Sequence, residues 1–315
     1  MAVRNVTFFV IAAAVGAAVF IVARLIGNDY LFFAGYTVLQ FIVLATAWNI
    51  LGGFAGYVNF GSGAFFAVGA YTAVSLYKWL ALPLGLQILA GAAMAGLLGL
   101  GVGLLTLRLR GIFFSIATIA ITIILETVVL NWTYVGGAKG LPILRPTEIP
   151  LFENYTQWLF FVMAVIAVVA VAAARYIQSS WFGRGLRAIR DNEVAAECSG
   201  VPTLKLKLAA ATVSGALMGA AGAPYAMLGS FIEPNAAFSL NHAVNALAMP
   251  IIGGTAHWIG PVIGAVLLGS VQQIVTVTIS SEMNVLVVGV LLVLFVVAAP
   301  EGILGLFKRF LPGKK

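Results

Sequence analysis

The stretch LAGAAMAGLLGLGVGLL, residues 89–105, carries no charge and sits inside an apolar run from 84 to 107. A helix that crosses a bilayer needs about 20 such residues. Apolar runs of the same kind recur at 6–26, 31–51, 61–79, 111–131, 157–174, 208–231, 242–254, 259–281 and 284–299. The eighth run, 242–254, is short for a crossing and reads as a re-entrant or broken helix, so the expected count is ten, or eight to nine without the weakest runs. The whole chain agrees: of 315 residues, 62% are hydrophobic and 9% are charged, with a mean hydropathy of +1.08. Soluble domains are about a quarter charged. A water-soluble enzyme is therefore excluded, and residues 1–315 read as a single all-α polytopic membrane domain. No polar stretch is long enough for a soluble domain. Any ATP-hydrolysing or ligand-capturing domain is thus expected on another chain. The run from Val6 to Ala23 is longer than a signal-peptide core and reads as a retained span.

Lysine and arginine set the orientation. The link 175–207 holds Arg175, Arg184, Arg187, Arg190, Lys205 and Lys207. Lys308, Arg309, Lys314 and Lys315 lie at the C-terminus, Arg108 and Arg110 between two runs, and Arg4 before the first. Ten spans with both termini cytoplasmic put 13 of the 17 basic residues inside. The link 132–156, with Lys139, Arg145, Glu148 and Glu153, then faces outward. Cys198, the one cysteine, falls on the cytoplasmic side and cannot form an intramolecular disulfide. The net charge of +7 belongs to these topology signals, so no nucleic-acid partner is expected.

Small residues recur at helical spacing, as in Gly99/Gly103 and Gly215/Gly219, a pattern that lets helix backbones approach closely in lipid. Two segments are broken by glycine: NILGGFAGYVNFGSGAFF (49–66) and MPIIGGTAHWIGPVIGA (249–265). At an offset of 201, Gly52, Gly53, Gly63 and Ala64 fall on Gly253, Gly254, Gly264 and Ala265. Paired interruptions of this kind point to a transport pathway, and the match is compatible with an old duplication or with chance.

Catalytic and metal-binding constellations are missing. His242 and His257 have no acidic or cysteine companions in sequence, and no phosphate-cradling glycine loop exists. No cofactor is expected on this chain. Glu126 is the one acid well inside an expected span, a costly position that often marks a pathway or a buried hydrogen bond. Asn49, Asn59, Ser62, Thr118, Thr122 and Gln272 are neutral polar residues in or beside spans. With Glu126 they are the candidates for lining a path.

The link segment SWFGRGLRAIRDNEVAAECSGVPTLKLK (180–207) predicts a helix from Leu186 to Ser199, ended by Gly200 and Pro202. Arg190, Glu193 and Glu197 are spaced to share one side of it. A short charged helix between two spans is what a soluble motor subunit could hold. GRGLRAIRDNEVAAECSGV in this segment resembles the cytoplasmic coupling loop of ABC importer permeases of the branched-chain amino-acid family. AWNILGGFAGYVNFGSGAFFAVGAYTAV (47–74), RLRGIFFSIATIAIT (108–122), IIGGTAHWIGPVIGA (251–265) and APEGILG (299–305) are similar to that family's other hallmarks, in the same order, and nearest its M-type subunits.

The resemblance implies a permease paired with a second, related permease, two ABC ATPase subunits that bind ATP and Mg²⁺, and a periplasmic substrate-binding protein. The setting it implies is the inner membrane. It assigns ATPase coupling to Glu193, Ala196 and Gly200, with Arg187, Arg190 and Asp191 as the charged lead-in, and Glu197 joins them by its helical spacing from Glu193. Asn59 and Ser62-Gly63 stand where many relatives have Gln or His. Urea, short amides or a sugar are the alternative substrates. An ion-coupled secondary carrier is the rival from another class, and it lacks the mid-depth ionisable groups that such coupling uses.

Overall fold

The computed structural model describes residues 16, 24, 28–109, 111–144, 152, 154–279, 283–299 and 301–310. The expected span 6–26 lies almost wholly outside these residues, as do Arg4, Arg110, Arg145, Glu148, Glu153, Lys314 and Lys315. Helix α1 (Asp29–Ala55) starts at Asn28, whose side chain accepts from Tyr30 N, and ends at Gly56, whose φ of +79° closes the last turn. Nearly all of α1 beyond Gln40 is buried. It is the central post, with α5, α8, α11 and α12 packed around it.

The other helices follow in order: α2 (Ser62–Leu80), α3 (Leu84–Thr106), α4 (Ile112–Leu130), α5 (Tyr155–Ser179), α6 (Trp181–Asp191), α7 (Glu193–Cys198), α8 (Thr203–Gly222), α9 (Tyr225–Gly229), α10 (Pro234–Ala237), α11 (Leu240–Gly253), α12 (Gly260–Thr278), α13 (Met283–Ala298) and α14 (Gly302–Phe310). Two short strands, β1 (Leu141–Pro142) and β2 (Phe231–Ile232), pair antiparallel. The protein is an all-α polytopic membrane protein. Seven segments among the described residues are long and apolar enough to cross a bilayer: 29–55, 84–106, 112–130, 155–179, 203–229, 260–278 and 283–306.

The seven leave three expected spans to account for. One is 6–26. The second, 61–79, is α2, whose inner half is enclosed by protein rather than lipid, which lets it carry Ser62, Tyr71 and Thr72. The third, 242–254, is α11. At 14 residues it extends about 21 Å, less than the roughly 30 Å hydrocarbon core. The run expected at 208–231 breaks after Gly222, because Pro224 cannot donate to an α8 carbonyl.

The small residues are packing surfaces. A β-carbon on Gly69 would collide with the Gly219 backbone, and one on Gly222 with the Phe66 carbonyl. On Gly99 it would stand 2.6 Å from the Ala211 oxygen, and on Gly215 2.7 Å from the Ala95 oxygen. Helices α2, α3 and α8 therefore touch backbone to backbone, a contact that substitutes dispersion for the missing hydrophobic drive in lipid. The outward faces are apolar: Ile112, Phe113, Ile116, Ile123, Ile124 and Val128 of α4 are exposed.

The helix ends sort into two groups. At one end lie residues 53–58, 107–109, 111, 178–207, 254–260 and 301–305, joined by contacts such as Asn49 Nδ2 to Thr255 O (3.2 Å) and Trp258 N to Gln178 Oε1 (2.8 Å). At the other lie the strand pair, the Trp79–Tyr134 ring stack and the bond from Tyr77 OH to Leu144 O (2.7 Å). Both glycine breaks fall at the first end.

Gly219→Ala should lower the thermal midpoint of the detergent-purified protein, since overpacking costs about 1–3 kcal/mol. Gly101→Ala, where nothing lies within 4 Å of the added carbon, should leave it unchanged. Equal effects from both substitutions would contradict the close-packing account.

Candidate functional site

The link between α5 and α8 is a folded elbow. Ser180 caps α6 by accepting from Gly183 N at 3.3 Å. Leu186 and Ile189 face inward. The single helix expected from Leu186 to Ser199 is instead two. Asn192 adopts extended backbone (φ −162°, ψ 107°) and its side chain accepts from Ala195 N at 3.0 Å, which ends α6 and starts α7. An asparagine ahead of an acidic residue is a helix-start signal that outcompeted the helical charge spacing. Gly200 has a φ of +80°, and Val201 N returns to Ala196 O at 3.0 Å, which completes the C-terminal cap of α7.

The break separates residues expected on one side. Arg190 donates through Nη1 to Gly53 O in the last turn of α1 (3.1 Å), and its contact with Asp191 (3.6 Å) is a surface pair. Glu193 turns inward. Its Oε1 pairs with Lys207 Nζ at 2.6 Å, and its Oε2 accepts from Tyr57 OH at 2.7 Å. Lys207 Nζ also donates to Leu107 O, the C-cap of α3 (2.9 Å), and to Tyr57 OH (3.0 Å). The ammonium therefore places all three protons, and it sits 4.8 Å from the Tyr57 ring centre. The Lys207 and Glu193 side chains are only 5% and 13% exposed.

Arg190 and Lys207 thus both meet helix C-termini, where carbonyls and the macrodipole favour positive charge. Glu197 Oε1 accepts from Thr203 Oγ1 (2.6 Å), tying α7 to α8. Ala196 is buried and Arg187 half-buried, while Asp191, Val194, Glu197, Cys198 and Gly200 are exposed. A cavity of about 470 Å³ opens beside the elbow, lined by Tyr57, Gly111, Ser115, Arg190 and Glu193.

The residues singled out for a path divide into groups. Asn59, Ser62, Thr118 and Thr122 come together where α2 begins. Asn59 O accepts from Trp48 Nε1 (2.7 Å), Phe60 N donates to Thr118 Oγ1 (3.1 Å), and Thr122 Oγ1 donates to Thr118 O (3.0 Å). Asn49 joins α1 to the second glycine break, and its Oδ1 has no partner. Gln272 stands apart, donating to Asn245 of α11 at 2.7 Å. Glu126 lies half-buried two turns beyond Thr118. His242 packs on Phe66, with ring centres 4.5 Å apart. No group of three or more metal-capable side chains exists among the described residues.

A family described as "Branched-chain amino acid transport system / permease component" matches residues 30–296. The chain belongs to this family. It is 27% identical over 289 residues to the high-affinity branched-chain amino acid transport system permease protein LivM of Escherichia coli (strain K12), covering 84% of this chain and 67% of the relative. The LivM protein of Salmonella typhimurium is 29% identical over 295 residues, with the same coverages. The probable branched-chain amino acid transport permease protein LivH of Methanocaldococcus jannaschii is 26% identical over 266 residues, covering 78% of this chain and 82% of the relative. No solved structure matches the chain.

The family is one of transport permease subunits and not of enzymes. Sequence reading missed Lys207 and Tyr57. Lys207 lies 14 positions from Glu193 and Tyr57 lies 136 from it, so no local period links them.

Lys207→Met strands an enclosed carboxylate, and breaking a buried pair costs about 3–5 kcal/mol. The single variant should melt well below the native protein, while Lys207→Met with Glu193→Met should recover most of the loss. Additive losses in this double-mutant cycle would show that the two charges are not coupled.

Proposed function

We propose that this chain is the M-type permease subunit of an ATP-driven ABC importer that moves leucine, isoleucine and valine across the prokaryotic cytoplasmic membrane. The observation that carries this reading is the elbow of α6 and α7, which bonds to the ends of α1, α3 and α8 and exposes Val194, Glu197 and Cys198. A partner pushing on that surface moves three membrane helices at once. Arg190 loads α1, Leu107 takes the load into α3, and Lys207 carries it into α8.

In this reading the chain crosses the membrane ten times with both termini in the cytoplasm, as a single domain whose 175–207 link is the coupling loop. Two partner ATPase chains bind ATP and Mg²⁺, and their closure drives α6 and α7. A second permease completes the path, a pairing supported by relatives of this chain bearing both the LivM and the LivH names. A periplasmic binding protein delivers substrate to the face that carries the strand pair. Asn59, Ser62, Thr118 and Thr122 form the inner station of the path. Glu126 lies further along it.

Proteoliposomes holding the complex that co-purifies with this chain, its binding protein and enclosed ATP should take up leucine. Dissipating proton and sodium gradients should leave that uptake intact, and omitting ATP or the binding protein should abolish it. Gradient-driven uptake by this chain alone would favour a secondary carrier. ATP-driven uptake of urea or a sugar, with none of leucine, would change the substrate and keep the mechanism.

A further inference from the structure

The first turn of α2 begins inside the protein. Gly61, Ser62, Gly63 and Ala64 are all buried, Ser62 at 0% and Ala64 at 1% exposure. A helix start leaves N–H groups without intrahelical acceptors and carries partial positive charge. At α1, α6, α7 and α11, the side chains of Asn28, Ser180, Asn192 and Ser239 answer this need. Gly61, at the head of α2, has no side chain to do so. Asn59 Oδ1 reaches the N–H of Gly61 (2.7 Å) and goes no further into the turn.

Among the described residues, the N–H groups of Ser62, Gly63 and Ala64 have no hydrogen-bond partner. The Ser62 hydroxyl has none either. Side chains on a helix lean toward its N-terminus, so this hydroxyl lies beside those N–H groups. Buried donors without acceptors cost about 1–3 kcal/mol each. Three N–H donors and a hydroxyl free to donate, on the positive end of a 19-residue helix, favour an oxyanion over a cation.

The opposite wall has the complementary character. The carbonyls of Phe238 and Ser239 cross Gly63, 3.0 and 3.1 Å from where its β-carbon would stand. The Phe238 carbonyl accepts no hydrogen bond among the described residues. The Phe238 ring stacks on Tyr71 further along α2, and the Phe65 ring lies against Gly61 and Gly215. Donors facing acceptors across one glycine suit the carboxylate and ammonium of a small zwitterion.

We propose that the first turn of α2 is the station for the α-carboxylate of the transported amino acid. Its donors are the Ser62 hydroxyl and the N–H groups of Ser62, Gly63 and Ala64, and the Phe238 carbonyl faces the ammonium. The proposal rests on the permease reading above and gives it a specific binding site. Gly63 is required because a side chain there would fill the gap between the two walls. The site is closed in this conformation, and it opens when residues 238–239 withdraw from Gly63.

The test uses the whole complex purified through a tag on this chain, without binding protein, and follows its thermal midpoint. The probes are leucine, isovalerate (carboxylate without ammonium), isoamylamine (ammonium without carboxylate) and sodium phosphate at matched ionic strength. Leucine and isovalerate should raise the midpoint, and isoamylamine and phosphate should not. Ser62→Asp supplies a carboxylate of its own. It should raise the ligand-free midpoint, abolish the response to both carboxylates and cut leucine uptake at least about tenfold through like-charge repulsion. Ser62→Ala, a smaller change, should weaken the leucine response about fivefold, as loss of one hydrogen bond does.

Equal stabilisation by isoamylamine, or an undiminished leucine response in Ser62→Asp, would overturn the site. Stabilisation by phosphate equal to that by isovalerate would make it an inorganic-anion site and overturn the substrate assignment. If the native complex takes up no leucine while isovalerate still stabilises it through Ser62, the permease reading for this substrate fails and the carboxylate site stands.

Discussion

A lysine and a glutamate enclosed between helix ends set the terms for this protein. Lys207 and Glu193 meet at 2.6 Å with little solvent access. Two such charges leave water at a cost of several kcal/mol each, and they stay only where geometry and further hydrogen bonds compensate. Tyr57 and the Leu107 carbonyl supply those bonds. The requirement is mutual: withdrawing any one partner leaves a charge or a phenol without its match. The elbow therefore cannot shift independently of the ends of α1, α3 and α8, which is the property a transmitting element needs.

The second constraint is how closely the helices can approach. In lipid, burying apolar surface between helices gains little, so contact area has to come from backbone meeting backbone. Gly69, Gly91 and Gly219 lie against one another where α2, α3 and α8 cross. In the proposed coupling, motion received at the elbow reaches this crossing through α8 and α3. The crossing lies about two turns along α2 from its first turn, where the unpartnered donors lie. In the proposed function, force and substrate are separated by packed helices with no flexible linker between them.

Much of this was legible in the sequence. The apolar runs give nearly all the long helices within a few residues, because hydrophobic length is an unmistakable demand of the bilayer. The small-residue spacing of 213–229 became a packing face, and Gly200 took the positive φ expected of a helix end. The failures have local causes. Asn192 broke a helix that charge spacing drew as continuous, because a side-chain cap outweighs a surface ion pair of a few tenths of a kcal/mol. Glu193 looked like an exposed contact residue and instead turns inward, half-buried, since its partner lies in the next span. Lys207 looked like one more positive topology signal. Asn59, Ser62 and Thr118 were singled out as polar residues in apolar surroundings. That they converge on one helix start, while Gln272 does not, depends on tertiary packing that no periodicity encodes.

The central claim is that the Lys207–Glu193–Tyr57 cluster transmits force and does more than hold the fold together. The most direct test is the number of leucine molecules imported per ATP hydrolysed by the reconstituted complex carrying Lys207→Met with Glu193→Met, the pair in which no charge is stranded. The account predicts that ATP hydrolysis persists while import falls, so that the ratio drops. An unchanged ratio, with both rates native or both reduced in proportion, would contradict it.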